Sequence, residues 1–421
     1  MTAGLEPTVV SAPSWWRRPG LDVAGDRLSV NGADLEALVR EHGTPLFVYD
    51  LARPVETVRA LQGALDRAGV RHVVRFALKS CPDPRILAVL RGLGGPGDPA
   101  SVGIDACSPG EVLHALDNGW QPGEISHTGT NVSERDLDVL LAHPIRINLD
   151  AVSQIERLGR RAPGRTIGIR INPAAGAGYT DKLAYAGDRP TKFGVTDDRF
   201  DDAIAAVRRH GLIVDTLHFH AGSGWLGDQV DGFEAALAKS VRYLDRLLET
   251  GFAIQEVNVG GGLGRIARSE ERPVDLDAYA VVVAHHLGPY GVTAAFEPGD
   301  FVMKDAAVLL GEVVTVERRG ETTFVGLDIG WNVNCSYFIY RYAQEIVPVR
   351  GPLRDRTQVV TVAGHINEAG DVFAEDYPFP DVAEGEVVAI LNAGGYHQAM
   401  ASTHCLRPTG SAVYLDREDD L

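Results

Sequence analysis

The chain has 421 residues, 45% of them hydrophobic and 23% charged, with a formal charge of −17. That length exceeds one ordinary core, so two domains are expected, and the acidic balance argues against a nucleic-acid partner, whose phosphates attract basic surfaces. Cys81, Cys107, Cys335 and Cys405 form no CxxC pair, which gives no support to a disulfide framework or a metal site, and without a signal peptide or an apolar run of about 18 residues the chain reads as cytoplasmic, with no membrane partner.

Residues 1–20 carry no periodicity and read as a loose arm. Residues 21–30 alternate as a strand that ends at the turn Asn31-Gly32. A short helix is expected over 34–42, with Asp34 as N-cap and Gly43 as its C′ residue. A second strand follows over 46–49, then an amphipathic helix over 54–68. Eight short β-branched runs come next, at 72–78, 104–107, 125–128, 145–149, 166–171, 216–220, 255–259 and 293–296. Between them lie helical stretches at 84–91, 109–118, 134–142, 152–160, 200–210, 232–250 and 276–286. Eight βα units over roughly 250 residues predict a (β/α)8 TIM-type barrel. A doubly wound sheet would carry a dinucleotide glycine loop near its start, and none is present.

The pattern changes after Phe301. Short strands at 310–316, 323–327, 345–348, 358–362 and 387–391, separated by Gly, Asn and Asp turns, predict a C-terminal β-sandwich or β-barrel. The expected organisation is an arm and strand over 1–45 packing with the β domain, a barrel over 46–304, and a β domain over 305–421. The acidic tail at 416–421 is expected to fray.

In such a barrel the site lies at the C-terminal ends of the strands. Lys79 follows the first run, Ser108 and Gly110 the second, and His220-Ala221-Gly222-Ser223 the sixth. Gly260-Gly261-Gly262 follows the seventh and Glu297-Pro298-Gly299 the eighth. Each has a plain structural reading: a loop, a core histidine, a solvated carboxylate, an exposed lysine. Together they fit one cofactor, pyridoxal 5'-phosphate. Lys79 supplies the amine of a Schiff base, with a pKa expected to be lowered by burial and by neighbouring positive charge. Gly260, Gly261 and Gly262, with the Ser223 hydroxyl, supply an anion cradle. Glu297 keeps the pyridine nitrogen protonated, and His220 lies flat against the ring.

The motifs also resemble a known family. Gly43-Thr44-Pro45-Leu46-Phe47-Val48-Tyr49-Asp50, Phe76-Ala77-Leu78-Lys79 and Asp105-Ala106-Cys107-Ser108-Pro109-Gly110-Glu111 begin the series. Lys192-Phe193-Gly194, His218-Phe219-His220-Ala221-Gly222-Ser223, the glycine triplet and Glu297-Pro298-Gly299 continue it. Asn367-Glu368-Ala369-Gly370-Asp371 and Gly394-Gly395-Tyr396 close it. In order and spacing these resemble the fold-type III pyridoxal-phosphate-dependent decarboxylases of the diaminopimelate and ornithine decarboxylase type. The resemblance implies a barrel followed by a β domain, and a head-to-tail homodimer with shared active sites. It places Asp105 among the cofactor residues and Tyr396 near the phosphate. Asn367 and Glu368 would serve the partner's site as catalytic residues beside Lys79 and His220.

Two departures qualify it. Diaminopimelate decarboxylases carry an arginine after Glu-Pro-Gly and a second in the segment matching residues 332–340. This chain has Asp300 and Ser336 there, and keeps Tyr340. Without these arginines a distal carboxylate loses its bidentate partners. Substrate contacts are therefore expected from Asp300, Ser336, Tyr340 and Glu368, with a substrate that lacks the distal carboxylate of diaminopimelate; a basic amino acid and a larger conjugated substrate both qualify. Compensation by Lys304, Arg341 or Arg407 would restore diaminopimelate. The second departure is Asn367, where the family usually has a cysteine that returns a proton to the α-carbon. Asn367 has no titratable proton, which leaves Lys79, a water, His365, His397 or His404, or else another fate for the carbanion. The expected activity is decarboxylation of an amino acid; a racemase or epimerase on the same plan and a non-enzymatic cofactor carrier are the alternatives.

Overall fold

The computed structural model describes residues 10–184, 191–342 and 344–417. The first nine residues of the arm and the last four of the acidic tail lie outside the described residues. The chain divides into two compact units, one of Val55–Arg265 and Arg272–Val302, the other of Met1–Pro54, Ile266–Glu271 and Met303–Leu421.

In the first unit eight parallel strands close into a barrel: His72–Ala77, Val102–Ala106, Ile125–Gly129, Arg146–Leu149, Thr166–Arg170, Ile213–His218, Glu256–Asn258 and Thr293–Phe296. Closure is made by the last strand pairing with the first, Ala294 opposite His72. Each expected run is present, displaced by three residues at most. The helices that follow the first three strands begin where the chain supplies side-chain caps. Asp83 accepts from Arg85 N–H ahead of Pro84, and Ser108 accepts from Glu111 N–H ahead of Pro109. Ser133 and Asp136 form a capping box. The barrel interior is not wholly apolar. Arg75 on the first strand makes two 2.8 Å bonds to the Glu256 carboxylate on the seventh, and both are buried. Among the described residues no helix is long and apolar enough to cross a membrane.

The second unit is built on an eight-stranded, mostly antiparallel sheet centred on the long strand Ala307–Arg319. Four expectations change here. Leu46–Asp50 pairs antiparallel with Ala307–Leu310 and parallel with Ser411–Leu415, so this stretch belongs to the β unit and does not open the barrel. The alternating stretch 21–30 is a hairpin, Leu21–Ala24 and Arg27–Val30, broken at Gly25 with its φ of 65°. The arm is anchored from residue 10: Val10 bridges Arg356, and Trp16 is 4% exposed in a core with Leu28, Val48 and Leu310. Two tryptophans in sequence were the signal, since burying an indole outweighs the low periodicity around it. Val372–Phe379 and Ser411–Leu415 are additional strands.

Candidate active site

The first barrel strand stops at Ala77, and a single 3-10 turn, Leu78–Ser80, carries Lys79 out at the mouth. Ser80 fastens the turn by donating its hydroxyl to the Ala77 carbonyl at 2.8 Å. Lys79 is exposed and its Nζ donates to Cys107 Sγ at 3.5 Å. Burial pushes the Cys107 thiol up to about 12 against the pull of Lys79, so the group beside the amine is a neutral thiol. The expected burial of Lys79 is not found, while Arg170 acts on the same Asp105 and His220 as Lys79 does. The turn lifts the side chain past the strand layer, and the charges that act on it include the carboxyls Asp105, Glu111 and Glu297.

Those carboxyls differ sharply. Glu297 is 6% exposed and therefore not a solvated loop acid. Its Oε2 lies 3.0 Å from His218 Nε2, and its Oε1 accepts from Asn258 Nδ2 at 2.6 Å. Burial opposes its charge, but His218 and Asn258 outweigh burial and hold the carboxyl well below the usual range. Burial pushes His218 down, against the pull of Glu297, and its Nε2 meets the carboxylate as a donor. Asp105, at the end of the second strand, is 2% exposed, and its Oδ1 has no hydrogen-bond partner. Burial first, and then the Glu297 charge, drive it well above its ordinary value. One buried acid is thus an anion and its neighbour a neutral acid, the arrangement expected when like charges cannot both ionise.

His220 follows the sixth strand. Its Nδ1 accepts from Gly222 N–H at 3.3 Å, which leaves the proton of a neutral ring on Nε2. Burial, with help from Arg170 and Lys79, keeps the ring neutral. The glycine loop packs backbone to backbone: a Cβ on Gly261 would stand 2.3 Å from the Glu297 carbonyl oxygen, and one on Gly262 2.3 Å from that of Gly222. Gly260 does not contribute a cradle donor, because its N–H is held by Asn258 Oδ1 at 2.9 Å. Ser223 is half-buried, with its own N–H bonded to the Leu183 carbonyl. After Glu297-Pro298-Gly299, Asp300 Oδ2 accepts from the Tyr179 hydroxyl at 2.6 Å.

The remaining candidates lie in the β unit. Asn367 and Glu368 are exposed on a loop organised by Asp371, which accepts from Trp331 N–H at 2.7 Å and Ile366 N–H at 2.6 Å. His404 Nε2 is 3.8 Å from Glu368. Ser336 opens the short helix Ser336–Tyr340, and its Oγ lies 3.3 Å from Nε2 of His397. His397 is 3% exposed and His365 half-buried. Tyr340 and Tyr396 are half-buried, Tyr396 with φ 61° after Gly394-Gly395.

Residues 53–304 match the family described as pyridoxal-dependent decarboxylase, pyridoxal binding domain. The chain is 35% identical over 397 residues to diaminopimelate decarboxylase of Methanothermobacter thermautotrophicus, covering 92% of this chain and 90% of that one. It is 31% identical to the Streptomyces coelicolor diaminopimelate decarboxylase, covering 97% and 92%. The chain belongs to the pyridoxal-dependent decarboxylases. A crystal structure from Aquifex aeolicus superposes with a TM-score of 0.81 at 26% identity, over 95% of this chain and 93% of that one. The lysine/ornithine decarboxylase of Vibrio vulnificus, 20% identical over 90% and 97% with a TM-score of 0.75, shares the fold.

As a member of this family the chain is a carboxy-lyase with pyridoxal phosphate as cofactor. The residues at its barrel mouth fit that group. They offer an exposed amine, an ionised carboxylate with a donor on each oxygen, a neutral imidazole, and a loop whose Gly261 and Gly262 admit no side chain. Four residues of this pyridoxal-dependent decarboxylase escaped sequence reasoning. His218 differs in nothing from its motif neighbours in sequence, and Asn258 lies inside a strand with no signal beside it. Arg170, 7% exposed with its guanidinium 4.7 Å from the Phe193 ring, ends the fifth strand. A charge closing an apolar run was a usable signal there. Tyr179 sits in a stretch without periodicity, and nothing in its neighbours marked it.

Proposed function

We propose that the barrel mouth holds pyridoxal phosphate and that the chain decarboxylates an amino acid whose distal end carries no carboxylate, a basic amino acid foremost. When bound, the cofactor supplies an electron sink for the pair left behind by the departing carbon dioxide. Lys79 would hold its aldehyde carbon and then yield that position to the substrate amine. Glu297, an acceptor on both oxygens, would keep a proton at the ring nitrogen. His220 would lie against the ring, with Asp105 nearby. Gly261, Gly262 and the Ser223 hydroxyl would take the phosphate, with Tyr396 close to it. Asn367 can move no proton, so the α-carbon would be reprotonated by Lys79, a water or one of the β-unit histidines. Asn367 and Glu368, exposed in the β unit, would complete the site of a second copy in a homodimer, with Ser336 and Tyr340 at the substrate's distal end.

The observation that carries the substrate reading is the Tyr179–Asp300 bond. It fixes an acid where diaminopimelate decarboxylases have an arginine, and an anion there repels a distal carboxylate and attracts a distal ammonium. Two of the three candidate substitutes for that arginine have other contacts: Lys304 is 5% exposed with its amine 4.0 Å over the Tyr342 ring, and Arg341 lies over Tyr337, while Arg407 is exposed. The names of the relatives supply the competing substrate. Carbon dioxide release from a panel of basic, acidic and D-amino acids and meso-diaminopimelate, with chiral analysis of product, tests the reading. Release from a basic amino acid supports it. Efficient release from meso-diaminopimelate contradicts it, and inverted substrate without carbon dioxide would indicate racemisation.

A further inference from the structure

Glu297 is gripped from two neighbouring strands. His218 closes the sixth strand and Asn258 the seventh; they are 1% and 0% exposed. Asn258 donates Nδ2–H to Glu297 Oε1 at 2.6 Å, while its Oδ1 accepts Gly260 N–H at 2.9 Å. A backbone N–H can only donate, so the Asn258 amide has one orientation, and its NH2 must face the carboxylate. His218 Nε2 lies 3.0 Å from Oε2. A carboxylate only accepts, so this nitrogen carries the hydrogen, and Nδ1 is left without a hydrogen-bond partner. Burying a bare acceptor costs roughly 1–3 kcal/mol, which the bond from Nε2 to the Glu297 carboxylate offsets. The charges around Glu297 include Lys79 and Arg75 on one side, and Asp105 and Glu256 on the other. His218 and Asn258 are the donors that meet the two Glu297 oxygens, and both favour its ionised form against burial.

We infer that His218 and Asn258 are positioning residues that aim Glu297 and fix the proton on the ring nitrogen of the cofactor, and that Asn258 locks this end of the site to the glycine loop at the other. The inference rests on the role proposed above for Glu297. Nothing in it depends on the identity of the substrate.

The test loads the full chain with pyridoxal phosphate labelled with nitrogen-15 in the ring and reads the ring resonance by NMR. Wild type should give the protonated position. His218→Phe and Asn258→Leu should shift it toward the unprotonated position, and His218→Gln, which retains an N–H donor, should restore it. Glu297→Gln should shift it furthest. If Glu297→Gln shifts the resonance while His218→Phe and Asn258→Leu leave it at the wild-type position, the inference is overturned and the role of Glu297 stands. If Glu297→Gln leaves it in place, both fall. Should either apolar variant fail to fold, the other, compared with His218→Gln and wild type, decides the matter.

Discussion

The Tyr179 hydroxyl donates to Asp300 Oδ2 at 2.6 Å, with the Arg265 carbonyl a more distant acceptor at 3.1 Å, and accepts the Arg265 backbone N–H at 2.6 Å. The ring fits because Gly224 carries no side chain; a Cβ there would stand 1.8 Å from it. Asp300 is thereby tied to the loop that continues the glycine triplet. A hydrogen bond to a charged acceptor contributes about 1.5–3 kcal/mol. Tyr179→Phe is expected to lower kcat/KM for a basic substrate roughly 10- to 100-fold, mostly through KM. Steady-state kinetics with the best substrate of the panel checks this, and an unchanged KM would separate Asp300 from substrate binding.

The glycine loop makes a steric prediction. Gly261 has no left-handed backbone to excuse it; its Cβ would strike the Glu297 carbonyl at 2.3 Å. Gly261→Ala should push the loop and the eighth strand end apart and weaken cofactor affinity by at least tenfold. Gly123→Ala, where an added Cβ meets nothing within 4 Å and the backbone is not left-handed, should leave it alone. Titration of apo-protein with pyridoxal phosphate reads both.

Arg75 and Glu256 form a buried pair across the barrel interior. Removing one partner of such a pair leaves an uncompensated charge and costs roughly 3–5 kcal/mol. Arg75→Met should lower the unfolding midpoint sharply, and Arg75→Met with Glu256→Leu should recover much of the loss. Burial works against the Glu256 charge, yet Arg75 holds its carboxyl below the ordinary range. Its contribution is therefore present above the unfolded value and lost as pH falls. Denaturant unfolding of the single and double variants decides this.

His127 predicts a second pH effect. It is 1% exposed, neither ring nitrogen has a hydrogen-bond partner, and burial pushes it from 6.5 to about 4. Between those values the unfolded chain takes a proton that the folded chain refuses. Stability should be full above about 6.5 and fall by roughly 3 kcal/mol toward pH 4. His127→Leu should flatten the fall in thermal midpoint over that window; an unchanged slope would show that other groups govern it.

The barrel was legible because its strands are short apolar runs, the first three each followed by a marked helix start. Asp83-Pro84, Ser108-Pro109 and Ser133 state where helices begin without tertiary help. Leu46–Asp50 was misplaced because a fully buried strand reads the same in either unit, and its partners Ala307–Leu310 and Ser411–Leu415 are hundreds of residues away. Strand-end position brought out Lys79, His220 and Glu297. It could not reveal that Gly260 N–H is already taken, or that Lys79 stands exposed among acids. Those depend on side chains meeting across strands, as Asn258 and His218 do at Glu297.

Lys79 is the residue proposed to carry the cofactor. Borohydride reduction of the enzyme loaded with pyridoxal phosphate, followed by proteolysis and mass spectrometry, tests it most directly. The reduced pyridoxyl group should be found on the peptide containing Lys79, and Lys79→Ala should abolish both the label and the visible absorbance of the bound cofactor. A label on another lysine, or the same absorbance in Lys79→Ala, would contradict it.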